Sequence, residues 1–440
     1  MRVTPFPPQR QGRPQGAMGS VADLLPNMHI LFVGPIQCAR HTFSALASSE
    51  NSSILVVTDV ETSLGETERL VNEAVDELRA EDPSLRCFVL HTACQGVFLG
   101  LDFDALCRSL HERTGLYFAH VEMNRMEAGN IPGPTRRNVP GGDRFHTRRE
   151  LFKMLAQRGP ALEVSRGVLV LCDNELAADN DLRDLTLLDG IDWVRSPQDF
   201  DDFGQFLQCA DAAAVVTLSM NWHEVGEWVH DEFGIPALYL PAGYALGEVE
   251  GACEQLDAAL AGYGSAGQRR QLAQRRAQRR AQAQAGVARA LRARPSLELD
   301  LNNAQRPFSL VEALLGYGFT VGELELSQMR IEHKEDDDAP AYQRLAERFP
   351  EWGERFKGVG SLRRGLGMAP GDPGKPGAGG GHGGHGGGPG GVSSETAWWG
   401  YSSIVQLMAQ IEEAGMQAAP AHDGPHGTPE YGAQPWGWRA

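Results

Sequence analysis

The sequence has few cysteines and no apolar stretch long enough to cross a membrane. Seven cysteines are spread over 440 residues, which is too sparse for the disulfide framework of a secreted domain. No apolar run approaches the ~20 residues that a transmembrane helix needs, and residues 1–19 lack the apolar core of a secretory signal. These absences predict a cytoplasmic protein whose cysteines stay reduced and free for metal or redox chemistry.

Common nucleotide-binding and zinc-binding motifs are also missing. The chain has no GxxxxGK[ST] phosphate loop, no HExxH and no CxxC. A glycine-rich stretch begins at Gly316, but it precedes a predicted strand, whereas the dinucleotide fingerprint follows one. Neither an ATPase nor a nicotinamide enzyme is well supported by this sequence.

Positive charge is scarce outside one segment. The net charge is −17, which argues against general affinity for nucleic acid. Residues 268–294 carry nine arginines and no acidic residue, so the rest of the chain holds −26. This segment consists of good helix formers without a wide apolar stripe. It predicts an exposed basic helix, which is either a solvated helix between domains or a docking surface for an acidic partner.

Short apolar runs alternate with helical patterns along most of the chain, which is typical of doubly wound parallel sheets. We therefore predict an α/β fold with two Rossmann-like domains and a reduced third α/β domain that contains a disordered glycine-rich insertion. Strands are predicted at 28–33, 54–58, 87–92, 117–121, 167–172, 191–194, 213–218, 237–240, 296–301 and 320–326.

The predicted domain organisation follows from these patterns and from composition. The two Rossmann-like domains are placed at 28–160 and 161–262, and the basic helix with the reduced third domain at 263–365 and 396–416. Residues 371–391 contain 13 glycines, which predicts a flexible insertion over 366–395. The remaining segments, 1–27 and 417–440, are predicted to be a disordered tail and a flexible tail.

Two cysteines follow predicted strands of the first domain. Cys38 comes after the first strand and Cys94 after the third, each just before a helix, where the helix dipole lowers a thiol pKa. Carboxyl ends of parallel strands share one edge of a sheet, where functional groups collect. Both are either chance turn residues or ligands of a soft metal. A cubane iron–sulfur cluster is bound by about four thiolates, and one chain supplies two at this edge. A second chain would therefore supply the other ligands.

The other five cysteines are interpreted differently. Four are predicted to be small buried side chains, while Cys172, at the end of a strand, stays ambiguous. The four are Cys87, Cys107, Cys209 and Cys253.

Three segments around Cys38 and Cys94 carry a family resemblance. GPIQC at 34–38, TDVETSLGETERLVNEAVDEL at 58–78 and HTACQGVFLGLDFDAL at 91–106 resemble the first domain of nitrogenase component 1-type oxidoreductases. This family includes molybdenum–iron protein chains, dark-operative protochlorophyllide reductase chains and nickel-sirohydrochlorin reductive cyclase. The resemblance extends over roughly 28–330 and 396–414.

The resemblance implies a cofactor and its ligands. Cys38 and Cys94 would hold a [4Fe–4S] cluster shared between two chains, with Gly34, Pro35 and Gly96 in the same cofactor-binding set. No cysteine precedes Cys38, which departs from the molybdenum–iron protein pattern and argues against an eight-iron cluster. The cysteine and histidine that hold the molybdenum cofactor have no match either, so dinitrogen reduction is not expected.

The function implied is that of the electron-accepting catalytic subunit of an ATP-dependent reductase. A separate iron protein would bind ATP and deliver electrons, and the chain would form a homodimer or a heterodimer with a second component 1-like chain. The substrate would be a small molecule or a metallocofactor; neither nucleic acid nor a membrane is an expected partner. Two alternatives stay open: a non-catalytic scaffold for metallocluster assembly, and a metal-free two-domain Rossmann ligand-binding protein.

Several polar residues are weaker candidates. His41, His91 and His120 would be proton donors near the cluster edge, or histidines with ordinary structural partners. Trp222, His223 and Glu224 follow a strand and would line a cleft or cap a loop. A basic stretch would either recognise substrate carboxylates or be a solvated loop; it contains Arg136, Arg137, Arg144, Arg148 and Arg149.

Overall fold

The computed structural model divides the chain into two compact units. The first comprises Met1–Pro241 and Glu254–Leu272, and the second Ala242–Cys253 and Ala273–Ala440. The three-domain boundaries set from the sequence stay a prediction. The residues that the structure describes are 3–5, 24–37, 51–93, 100–123, 148–159, 165–300, 306–325, 338–345, 347–348 and 396–417.

The first sheet has five strands in the order β1-β3-β2-β4-β5. Four are parallel, as predicted. The exception, β1, pairs antiparallel with β3, within the stretch 1–27 that the sequence predicts to be a disordered tail. The strands are β1 (Val3–Pro5), β2 (Met28–Gly34), β3 (Ser52–Val56), β4 (Cys87–Ala93) and β5 (Tyr117–Met123). The helices between them are α1 (Asp59–Ser63), α2 (Thr67–Glu81) and α3 (Phe103–Thr114).

A second, four-stranded sheet in the same unit has the order β8-β6-β9-β10, all parallel. Its strands are β6 (Gly167–Leu171), β8 (Trp193–Arg195), β9 (Ala214–Thr217) and β10 (Ala237–Tyr239). The short strand β7 (Glu175–Leu176) follows β6 in the chain and is not part of this sheet. The helices are α4 (Phe203–Leu207) and α5 (His223–Phe233). Short 3₁₀ helices occupy Lys153–Gln157, Asp181–Leu187, Pro197–Asp199, Gln208–Asp211 and Met220–Trp222.

The two sheets repeat one plan. In each, the parallel strands lie in the order second, first, third, fourth, so the strand order reverses between the first and third strands. The helix before each fourth strand ends alike: His111 and His230 place Nδ1 2.8 Å from the backbone carbonyl oxygen five residues on. Gly115 and Gly234, both in the left-handed conformation, make this turn possible. Each sheet therefore has a topological switch point at the carboxyl ends of its first and third strands.

The core of this unit explains why its central strands are continuous apolar runs. Every residue of β2 and β4 is buried, as expected for parallel strands covered on both faces. One face packs against α2 and α3. The other belongs to a core that also includes Phe152, Leu169 and Trp222.

The second unit contains a smaller α/β arrangement. Its strands β11 (Ser296–Asp300) and β12 (Thr320–Glu325) are parallel, and α8 (Pro307–Tyr317) lies between them in the chain. It also contains β13 (Thr396–Ala397) and α9 (Tyr401–Gln417). Two helices, α6 (Leu246–Ala259) and α7 (Ala266–Ala293), contribute residues to both units. Within the described residues, no helix is both long and apolar enough to span a bilayer.

Most arginines of the predicted basic helix, now α7, interact with the chain itself. Arg269 donates to backbone carbonyl oxygens that follow α6, Arg280 pairs with Glu250 at 3.0 Å and Arg289 with Glu412 at 3.1 Å. Four more arginines of the stretch also have partners: Arg275, Arg276, Arg279 and Arg294. These contacts favour a structural helix over a docking surface.

Two buried histidines of the first sheet predict acid sensitivity. Burial lowers the pKa of both His29 and His91 to about 4, below the usual value near 6.5. Unfolding lets each imidazole bind a proton, so we expect stability to fall as the pH drops from 6.5 to 4, by about 3 kcal/mol per histidine. Urea unfolding at successive pH values measures this loss. His29→Gln, which cannot titrate, should show roughly half of it, and an unchanged slope would contradict the assignment.

Candidate functional site

The switch point of the first sheet brings the ends of β2 and β4 into contact. Val33 pairs with Thr92 in register, so Gly34 and Ala93 end the two strands side by side. A Cβ added to Gly34 would lie 2.8 Å from the Cβ of Ala93, closer than two carbon atoms can pack. Glycine is therefore required here, and the two chain segments leave the sheet from one point.

The two predicted cluster ligands come soon after these strand ends in the sequence, Cys94 one residue after Ala93 and Cys38 four residues after Gly34. Gly34 and Pro35 lie at the edge, and the chain is described as far as Gln37 on one side and Ala93 on the other. Cys38, His41, Cys94 and Gly96 lie outside the described residues, as do Arg136, Arg137 and Arg144. Their roles stay predictions. Among the described residues, no group of three or more His, Cys, Asp or Glu side chains is arranged to hold a metal ion.

His91 lies on β4 two residues before Ala93, so both side chains point to the same face of the sheet. It is 5% exposed, and its ring centroid lies 5.6 Å from that of Phe32. Burial, reinforced by the nearby His120, lowers its pKa to about 4, which keeps it neutral at pH 7. In the described part of the chain, its Nδ1 atom has no hydrogen-bond partner.

His120, on the opposite face, has ordinary structural partners. Its Nε2 atom lies 2.8 Å from Oγ1 of Thr92, and its ring stacks on Phe103 at 5.0 Å. Its Nδ1 atom is 3.4 Å from a carboxylate oxygen of Asp104. These contacts support the structural alternative for this residue.

Three large apolar side chains are exposed at the same edge of the first sheet. Ile36 follows β2 and is 47% exposed, while Val60 and Leu64 follow β3 and are 67% and 70% exposed. The last two stand one turn apart on α1, which begins with a capping box between Thr58 and Glu61. We call Ile36, Val60 and Leu64 the apolar rim. Exposed apolar side chains that follow neighbouring strands are candidates for an interaction surface.

The switch point of the second sheet is filled by side chains of the protein itself. Asp173, after β6, accepts hydrogen bonds from Ser219 (2.7 Å) and Trp222 (3.2 Å), and Arg148 pairs with it at 2.9 Å. The Arg148 guanidinium also lies 4.3 Å above the Trp222 ring. Arg148 is therefore not part of a solvated loop; it is buried because Asp173 neutralises it. Trp222 is fully buried. No local pattern in the sequence indicates Asp173, because its partners are distant in the chain.

His223 lines a cleft beside α5 and the edge strand β10. The cleft has a volume of about 450 Å³ and also includes Thr217, Glu227, His230 and Tyr239. The Nε2 atom of His223 lies 3.2 Å from Glu227, and its ring meets Tyr239 edge-on at 5.7 Å. The residues that line the cleft belong to the second sheet and to α5, so the cleft does not include the strand ends of the first sheet.

The remaining cysteines are buried thiols. The prediction of burial is confirmed for Cys87, Cys107, Cys209 and Cys253, and Cys172 is buried as well. Burial raises the thiol pKa of Cys107 and Cys172 to about 12, and those of Cys87 and Cys209 are also raised. Protonated, buried thiols are poor nucleophiles and metal ligands.

Comparison with solved structures agrees with this architecture. No protein-family model matches the chain, and no curated protein sequence matches it. The structure is similar to one described as nitrogenase Cp1 at pH 6.5, with 9% identity, a TM-score of 0.51, and coverage of 94% of this chain and 95% of that one. Another, nitrogenase Cp1 at pH 5, has 12% identity, a TM-score of 0.43, and coverage of 73% and 66%.

At such low identity the first likeness shows a common fold and nothing finer. The chain has a nitrogenase component 1-like α/β fold, which confirms the fold expected from the resemblance.

The contact between Gly34 and Ala93 can be tested by a pair of substitutions. Gly34→Ala places a methyl group 2.8 Å from Ala93 and should destabilise the protein by about 1–3 kcal/mol. Ala93→Gly removes the opposing methyl group but not the backbone strain of an alanine at the Gly34 φ of +155°, so the double variant should recover only the part of the loss that the clash causes. Urea unfolding of the two single variants and the double variant measures the coupling, and strictly additive effects would contradict the contact.

Proposed function

We propose that this chain is the electron-accepting subunit of a nitrogenase component 1-like reductase, with Cys38 and Cys94 as ligands of a [4Fe–4S] cluster. The observation that carries the proposal is the contact of Gly34 with Ala93 at the first switch point. Cys94 is the residue after Ala93 in the sequence and Cys38 the fourth after Gly34, and the proposal takes both cysteines to lie at this edge of the sheet.

The described residues at this edge fit a bound cofactor. The absence of a side chain at Gly34 lets the ends of β2 and β4 lie close together, so the chain leaves the sheet at neighbouring points after the two strands. Nδ1 of His91, on the face of β4 that carries Ala93, is among the buried polar atoms for which the described residues supply no hydrogen bond, and such atoms call for a water, ion or ligand. The second switch point, by contrast, is filled by Arg148 and Trp222.

The apolar rim supports sharing of the cluster between two chains. Two thiolates are half of what a cubane cluster needs. Ile36, Val60 and Leu64 are exposed beside the strands that lead to this edge, so a second chain docked on the rim would bury them while it supplies the missing ligands. A twofold pairing of identical surfaces achieves this with one interface. A second component 1-like chain would fit the same rim.

A division of labour with a separate ATPase fits the sequence, because the chain lacks a phosphate loop. In the proposal, an iron protein hydrolyses ATP and delivers the electrons. A bound cluster would supply one-electron transfer. The residues of this chain hold it, bury it and exclude water, which sets its potential. The proposed substrate is a small molecule or a metallocofactor other than dinitrogen, because no residues match the ligands of the molybdenum cofactor.

Iron and sulfide analysis with EPR on anoxically prepared protein tests the cluster. We expect both elements in the wild type and loss of iron in Cys38→Ala and in Cys94→Ala, because each removes a ligand. Matched controls are Cys87→Ala, at the opposite end of β4, and Cys107→Ala, within α3. Both should retain the iron. Full iron retention in Cys38→Ala and Cys94→Ala would exclude the proposed ligands.

The apolar rim predicts an assembly that depends on Leu64 and Val60. Leu64→Glu and Val60→Glu place charges where the partner should pack, and we expect each to shift sedimentation equilibrium toward the monomer, with loss of iron. Met220→Glu is the control, since Met220 is also an exposed apolar residue (38%) but follows the second sheet. Unaltered assembly in both rim variants would contradict the interface.

A further inference from the structure

The partnerless Nδ1 atom of His91 is unusual for its surroundings. A buried polar atom without a hydrogen bond costs about 1–3 kcal/mol, and most such atoms in folded proteins find a partner. His29, on the neighbouring strand β2, is an example: its Nε2 atom lies 3.1 Å from Oγ of Ser53. His91 is just as buried, yet its Nδ1 has no such partner among the described residues.

The position of His91 indicates what the missing partner is. His91, Ala93, Phe32 and Gly34 lie on one face of β2 and β4, since Phe32 contacts His91 and the missing side chain of Gly34 faces Ala93 and Phe32. His91, whose Nδ1 has no hydrogen bond within the described part of the chain, is therefore on the face of Gly34 and Ala93, two residue pairs before the strand ends. His120 and Thr92, which satisfy each other, lie on the opposite face.

We infer that His91 donates a hydrogen bond from Nδ1 to a sulfur atom of the group held at this edge. This inference rests on the proposed function, because it takes the bound group to be the iron–sulfur cluster or its cysteine ligands. Thiolate and sulfide sulfurs accept hydrogen bonds, and such bonds are among the factors that set the potential of a cluster. A donated hydrogen bond offsets negative charge on the sulfur, so it favours the reduced state. His91 is thus a tuning residue, and it is not a metal ligand.

Side-chain replacements separate this role from simple packing. His91→Leu removes the donor, and His91→Asn keeps an amide group near the Nδ1 position. The control is His29→Leu, which removes a histidine of similar burial from the opposite face of the same sheet. Redox titration followed by EPR, together with iron content, is measured on anoxically prepared full-length protein.

We expect His91→Leu to retain wild-type iron with a lower midpoint potential, and His91→Asn to restore much of the difference. His29→Leu should lower the stability of the protein, because it removes the hydrogen-bond partner of Ser53. It should leave the midpoint potential unchanged, because His29 is on the opposite face of the sheet. An unchanged potential in His91→Leu at full iron content would overturn the inference and leave the proposed function intact. Should His91→Leu fail to fold, His91→Met, which is apolar and unbranched, takes its place under the same criterion. Absence of iron from the wild type would overturn both.

Discussion

The parallel pairing of β2 with β4 is the interaction on which the site depends. It sets strands from different parts of the sequence side by side, and the reversal of strand order at this pair opens a crevice at their carboxyl ends. The contact of Gly34 with Ala93 holds the two exits together, and β3 places the apolar rim beside them. A shift in register at this pair would move every one of these groups, because side chains alternate between faces.

Sequence patterns predicted the elements of the fold well and the contacts between distant residues poorly. The strands expected at 28–33 and 87–92 appear as Met28–Gly34 and Cys87–Ala93, because buried parallel strands leave uninterrupted apolar runs in the sequence. The edge strand Val3–Pro5 was missed because its short polar and proline-containing sequence has no strand signature of its own; only its pairing with β3 defines it.

The same distinction applies to the sites. Cys38 and Cys94 attract attention from sequence because they follow predicted strands, and the adjacency of those strands could be anticipated from the alternating pattern. The environment of Arg148 could not, since a run of arginines near glycines and prolines is typical of a solvated loop. Its burial depends on Asp173, 25 residues further along, and on the Trp222 ring. Local composition does not predict an ion pair between residues so far apart in the sequence. It does not predict the histidine–glycine ending that α3 and α5 share either.

The filled switch point of the second sheet has a consequence for the order of folding and cofactor insertion. Arg148, Asp173, Ser219 and Trp222 contact one another there, so side chains of the chain itself occupy this switch point. Under the proposed function, the second sheet would fold with its switch point already occupied by side chains, while the first switch point would be completed by the delivery of the cluster. Synthesis and folding would then be separated in time from that delivery.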